Sequence, residues 1–533
     1  MLSFTLLGNA SRSDLSPMLK RLAHAFIAMS FGQLLVIISN LLLVPIFLRV
    51  WSPGAYGEWL TMYALVAYLG NLDMGMQSYV LNRLTQAFAR GDIAEYRRQQ
   101  HSAMAFYLTL ATFGTLLISA VARWAPLTRW FNLVHTSREV AALVIVLLGA
   151  QVLWALAGTV AFSVYRTTGQ VATSQWITNA YRLASMVFTI AAVLIWKSPP
   201  GVAAAQLGVW LLSFLVVLWD VHRRYPDLLP SVAGASFSVV KQQMRPSVLF
   251  GLITLGVAVG FQGANLLVAG VLGGAAVALF VTTRTLANSI KQIVALFSNA
   301  AWTDITRMEA LGEQARLRLA LRLTIAVSAC GCIAVAAPLW FEGGSVISVW
   351  TRGKLVPDVL LLRFLLAYVV LQAPWAAAAV FGMSTNRHKN LAGSYLVANL
   401  VGLAAAALLI RHIGLVGVPA GLIFGEAIAC YHFVLADACK IATEPYGRFA
   451  ARVWLAMGVL ATMSLLATWY VHQLTKIPMM ARWGLSGAVS IAVVTAGTWF
   501  GWLLPGDRKT LKAKVKFGWE RYRARIASGQ LQV

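Results

Sequence analysis

Residues 65–84 read LVAYLGNLDMGMQSYVLNRL. A helix needs about 20 predominantly apolar residues to cross a bilayer, and this run carries Asn71, Asp73 and Gln77 inside it. Asp73 and Gln77 share one helical face, with Gly70 a turn before Asp73. Gly70 and Gly75 weaken the helix or let another backbone approach closely. A charged side chain at bilayer depth costs about 2.5–3.5 kcal/mol, so it faces a wet cavity or a partner. Asp73 therefore has two readings. It is a structural polar group, bonded to Asn or Ser or paired with a basic residue, or it is a titratable site.

The rest of the chain places this stretch in a membrane. Of 533 residues, 59% are hydrophobic and 11% charged, against about a quarter charged in an average soluble domain. The mean hydropathy is +0.72. Fourteen candidate spans follow one another, at 26–48, 59–81, 103–122, 140–165, 174–196, 201–221, 246–271, 275–302, 319–341, 358–382, 391–411, 414–437, 453–475 and 481–504. Only His412 and Ile413 separate the eleventh from the twelfth, which predicts a tight helical hairpin. The expected fold class is an all-α polytopic membrane protein. Residues 1–25 hold no signal-peptide core with a cleavage site and read as a cytoplasmic lead into an uncleaved first helix. With that end inside, Lys and Arg concentrate in the inner connections, so both termini are expected in the cytoplasm.

The net charge of +25 then serves orientation and attraction to anionic membrane lipids rather than nucleic acid. The tail 505–533 carries eight cations between Arg508 and Arg525. Cys330, Cys332, Cys430 and Cys439 lie in or beside apolar segments and read as small packing residues, not as a disulfide framework or metal site.

A weak internal repeat is present. Asn40-Leu41-Leu42 is followed after 16 residues by Tyr56-Gly57 and after 57 by the basic loop at Arg97-Arg98. Asn265-Leu266-Leu267 is followed after 15 residues by Phe280 and after 51–53 by Arg316 and Arg318. RTTGQ (166–170) and STNRHK (384–389) fill matching short connections. The repeat predicts two parallel six-helix lobes, 26–222 and 246–437, joined by a cytoplasmic linker at 223–245, with a cavity between them and extra helices at 453–504.

Polar residues within the spans form stripes. In the eighth span, Arg284, Asn288, Lys291, Gln292 and Asn299 recur on one helical face. Arg284 and Lys291 stand about 10 Å apart along the axis, a ladder of positive charge. Either this ladder lines a cavity, or each cation pairs with an acid and fixes packing. The fifth span repeats the pattern with Gln175, Asn179, Arg182 and Ser185; the first carries Gln33 and Asn40, the seventh Gln262 and Asn265. Arg182 either joins this cavity or snorkels to an interface. Glu426, in GLIFGEAIAC, shares the two readings of Asp73. The eight histidines show no HExxH spacing, and no nucleotide-binding or nucleophile motif sits on a suitable element. With no large soluble loop, neither ATP hydrolysis nor covalent catalysis is expected, and no cofactor.

At VPIFLRVWSPGAYGEWLTMYALVAYLGNLDMGMQSYVLNRLTQAFARGD (44–92) the chain resembles the Wzx-type polysaccharide transporters. These are lipid-linked oligosaccharide flippases of the superfamily that also holds the lipid II flippases and the multidrug and toxin extrusion antiporters. The resemblance rests on Pro45, Tyr56-Gly57-Glu58-Trp59, Leu72-Asp73-Met74-Gly75, and Asn82-Arg83 followed by Ala89-Arg90-Gly91-Asp92. It implies V-shaped lobes and a flippase in the bacterial inner membrane. The substrate it implies is an undecaprenyl-diphosphate-linked oligosaccharide, moved between leaflets by alternating access. A polysaccharide polymerase and a chain-length regulator would be partners, and a proton or cation the coupling ion. Arg284, Lys291 and Arg182 suit the diphosphate and the Asn and Gln residues suit sugar hydroxyls. A cation-coupled drug exporter of the same superfamily and a non-transporting scaffold of a polysaccharide assembly complex are the alternatives. Three intramembrane cations against two acids favour the anionic substrate.

Overall fold

The structure is a computed structural model that describes residues 12–508 apart from Met74, Ala301, Asn386 and His388. The start of the expected N-terminal lead, most of the basic tail and the side chain of Asn299 lie outside the described residues. Among the described residues every regular element is helical: α1 (Arg12–Val50), α2 (Pro53–Ala67), α3 (Met76–Ala89), α4 (Ile93–Trp124), α5 (Leu127–Trp130), α6 (Arg138–Thr167), α7 (Val171–Ile195), α8 (Pro199–Arg224), α9 (Phe237–Ala258) and α10 (Ala264–Leu272). There follow α11 (Gly274–Ala300), α12 (Trp302–Ala310), α13 (Gln314–Trp350), α14 (Val359–Ser384), α15 (Lys389–Ile413), α16 (Gly417–Ala429), α17 (Phe433–Ile441), α18 (Tyr446–His472) and α19 (Met479–Gly497).

The helix ends follow from local chemistry. Ser52 Oγ accepts the Ala55 N–H at 3.2 Å ahead of Pro53, Asp92 accepts from Glu95 N at 2.9 Å, and Asp358 from Leu361 N at 2.9 Å. Each satisfies one of the four orphan donors of a helix start. Eleven helical segments among the described residues are long and apolar enough to cross a membrane. Two expected spans are not among them. The second, 59–81, is broken: α2 ends, a 3₁₀ turn runs over Tyr68–Asp73, and Gly75 adopts φ 74° before α3 begins. The eighth is present as α11, a helix of 27 residues that carries the polar stripe. The expected hairpin joins α15 and α16 through a single turn at Gly414–Val416, and those two helices form one apolar segment of 40 residues.

The chain divides into two compact units. The first comprises residues up to Leu286 together with Ile347–Pro357 and Tyr395–Gly425. In it α4 and α8 pack on α6, and α1 packs along α7. Its core holds an aromatic nest in which the Phe47 ring lies 4.9 Å from Trp51 and 5.2 Å from Tyr56. The indole N–H of Trp350 donates to Leu41 O at 2.7 Å, which ties segment 347–357 to α1. The second unit comprises Ala287–Val346, Asp358–Ser394 and the chain from Glu426 onward. There α14 packs on α12 and α17, and α18 on α19. Large apolar side chains such as Phe113, Leu116, Leu212 and Leu466 point outward, as lipid-facing positions do.

Candidate functional site

The first unit holds a cavity of about 430 Å³ walled by α1, α2, α7, α10 and the first half of α11. Arg284 enters it from α11 and is 5% exposed. Its Nη1 donates to Phe261 O at 2.9 Å and its Nη2 to Asn265 Oδ1 at 2.8 Å. The guanidinium lies 3.8 Å from the centre of the Phe261 ring and 5.0 Å from that of Phe280. Such stacking holds a planar cation in one orientation. A π-turn at Val259–Gly263, between α9 and α10, carries both Phe261 and Gln262 to this wall, a local irregularity common at functional sites. Asn265 Nδ2 donates onward to Gln262 Oε1 at 3.3 Å.

Across the cavity stands Arg182 on α7, whose Nη1 donates to Gly32 O at 3.4 Å. A Cβ at Gly32 would fall 3.0 Å from Arg182 Nη1 and 3.1 Å from Gln175 Nε2, so the glycine leaves the room that α7 needs to seat its polar edge on α1. Asn179 uses that room. It is buried, donates to Ala28 O at 2.7 Å and accepts from Gln175 Nε2 at 3.2 Å. Asn179 therefore stitches α7 to α1. Asn40 lines the same cavity as Arg182 and Arg284; Gln33 is half-buried on α1 and does not line it. No Asp or Glu is among its lining residues.

A second cavity in the same unit, of about 500 Å³, is bounded by α3, α4, α6, α7 and α8. Tyr107 and Gln77 line it, and the Tyr107 hydroxyl donates to Asp73 Oδ1. That oxygen also accepts the Gln77 N–H at 3.2 Å, so Asp73 closes the gap left by the broken span and starts α3.

Within the second unit, Glu426 is 2% exposed. It accepts from Tyr368 OH at 2.8 Å, from Trp375 Nε1 at 2.9 Å and from Gln372 Nε2. Lys291 Nζ lies 5.8 Å from the centre of the Tyr368 ring, whose hydroxyl donates to Glu426. Asn288 and Gln292 are half-buried on α11 nearby in sequence. The eighth-span stripe thus has Arg284 engaged in the first unit and Lys291 in the second.

Several residues at these sites were not singled out from the sequence. Tyr368, Gln372 and Trp375 are spaced four and three apart on α14, the one-face signature that would have found them. Glu58 stands out in the sequence only within Tyr56-Gly57-Glu58-Trp59. It is buried, and its carboxylate accepts from Val134 N at 2.6 Å, His135 N at 2.7 Å and Thr136 Oγ1 at 2.6 Å, fixing the connection before α6. Nothing in the sequence pairs it with that connection.

No family model and no curated protein sequence matches the chain. Solved structures do. An inward-facing multidrug resistance MATE family transporter of the MOP superfamily superposes with a TM-score of 0.63 at 14% identity, covering 79% of this chain and 99% of the other. The lipid II flippase MurJ in an inward closed conformation gives 0.64 at 10% identity, covering 89% and 97%. The MATE multidrug transporter DinF-BH gives 0.57 at 15% identity, covering 80% and 97%. At such identities the likeness establishes the fold, and this chain is a multi-pass, all-helical membrane protein folded like the MATE transporters and MurJ.

Proposed function

We propose that the protein is a flippase for undecaprenyl-diphosphate-linked oligosaccharide in the bacterial inner membrane, with both termini in the cytoplasm. The observation that carries this reading is the cavity that presents the guanidiniums of Arg182 and Arg284 with no carboxylate in its wall. A diphosphate leaving water needs charge-assisted donors in fixed positions, and a stacked arginine supplies them at small entropic cost. Asn265, Gln262 and Asn40 add neutral groups to the same wall, and the prenyl chain stays in lipid. Lys291, Asn288, Gln292 and Asn299 are proposed as further substrate contacts on the sequence pattern of the eighth span alone, and Asn179 and Gln33 to support Arg182 from α7 and α1. Two six-helix lobes, 26–222 and 246–437, alternate access around the cargo. Asp73 or Glu426 couples the cycle to a proton or cation, and a polymerase and a chain-length regulator use the product.

A cationic-drug exporter, the other reading compatible with the fold, needs acids facing its cargo. No Asp or Glu is among the described residues that line the two cavities of the first unit, which favours the anionic substrate. The test is made in cells lacking the protein, with lipid-linked oligosaccharide labelled by a non-permeant sugar-modifying reagent. Full-length repeat should accumulate on the cytoplasmic side and be cleared by the wild type, but not by Arg182→Ala/Arg284→Ala at equal abundance. Normal sidedness without the protein would reject the flippase.

A further inference from the structure

The two cavities of the first unit differ in chemistry and share a wall. The larger one is lined by Gln77, Ser174, Gln175 and Thr178 and by no Asp or Glu. Its single cation among the described residues, Arg166, is exposed at the end of α6. Trp210 and Phe214, stacked at 5.3 Å and 11°, supply an apolar flank. Its volume of about 500 Å³ falls within the roughly 300–1,000 Å³ typical of small-ligand sites.

The hydroxyls of this wall face a particular way. Thr178 Oγ1 donates to Ser174 O at 2.9 Å, Thr159 Oγ1 to Leu156 O at 2.6 Å and Ser163 Oγ to Val160 O at 2.7 Å. A hydroxyl that spends its proton on its own helix offers only lone pairs to the cavity. The wall thus sets hydroxyl acceptors beside the amides of Gln77 and Gln175, which both donate and accept. No acid is among its lining residues, and the mixture suits an uncharged ligand with many O–H groups. That is the chemistry of a neutral saccharide, whose apolar ring faces suit the aromatic flank. Tyr181 belongs to both cavities, and its hydroxyl accepts from Gln151 Nε2, at 3.3 Å, in the cation-lined one.

We infer that the larger cavity is a saccharide subsite, separated by Tyr181 from the diphosphate subsite of Arg182 and Arg284. The division rests on the proposed flippase function, and the experiment separates the two. Purified protein in nanodiscs is titrated with undecaprenyl diphosphate carrying no sugar, one neutral hexose or several. The wild type should bind the glycosylated lipids about tenfold tighter than the bare one, the effect of one or two hydrogen bonds. Gln77→Leu/Thr178→Val should abolish that preference and leave the affinity for bare lipid unchanged. The single isosteric Thr178→Val, which keeps the packing, should reduce it partway. Equal affinity of the wild type for bare and glycosylated lipid would overturn the saccharide subsite and leave the flippase standing, as would an equal loss for both lipids in the variants. Failure of the wild type to bind even the bare lipid would overturn both.

Discussion

Asp73 stands where the second span loses its helical ladder, and its carboxylate answers the loss. The Tyr107 hydroxyl and the Gln77 N–H both donate to Oδ1, so the group caps α3 as an asparagine side chain also could. Asp73→Asn should therefore keep most of the stability, whereas Asp73→Ala removes the cap and should cost about 1–2 kcal/mol. Thermal unfolding of the purified variants checks this ordering; equal losses would show that the charge, not the cap, holds the turn. Arg284, Arg182, Asn265, Gln262 and Asn40 line one cavity; helical spacing marks the polar faces of their helices, but leaves open whether Arg182 faces a cavity or an interface and whether Arg284 faces a cavity or an acid. Asn179 was legible as polar but not as a stitch to α1. Spacing names a face and not what lies opposite, and what lies opposite here is a carbonyl exposed by the absent side chain of Gly32.

Two elements show how far pattern reading reaches. The α15–α16 hairpin was predicted from its two-residue connection, and its packing follows from Gly417, Gly421 and Gly425, one per turn of α16. A Cβ at Gly425 would collide with the Ala398 carbonyl and fall 2.6 Å from Gly402 N, both backbone atoms that cannot swing aside. Gly425→Ala should destabilise the protein by about 1–3 kcal/mol. Gly458, inside α18, meets nothing within 4 Å. Gly458→Ala should be neutral or stabilise by up to about 1 kcal/mol through helix propensity. Melting temperatures of the pair test the argument, which fails if both move the same way by the same amount. The break at Gly70–Gly75 had its signal in two glycines around an acid. The π-turn at Val259–Gly263 had none, because one extra residue in a helical turn leaves hydrophobic periodicity almost unchanged.

At the scale of the whole chain, composition and span length were enough to read an all-helical, multi-pass membrane protein. The make-up of the compact units was not readable. Segments 347–357 and 395–425 join the first unit through contacts such as Trp350 Nε1 to Leu41 O, between residues 309 apart in sequence. No local pattern records a hydrogen bond of that range. Under the proposed function, this protein alone moves a diphosphate-linked saccharide lipid, using the cavity of Arg182 and Arg284. The most direct test is made in proteoliposomes that contain only the purified chain and undecaprenyl-diphosphate-linked oligosaccharide, with and without an imposed proton or sodium gradient, and an impermeant reagent modifies whatever sugar faces outward. Wild-type protein should bring nearly all of the lipid within reach of the reagent, whereas Arg182→Ala/Arg284→Ala should leave about half protected, as in protein-free vesicles. Protection of half the lipid with wild-type protein under every gradient, or full access with the double variant, would rule out transport through this cavity.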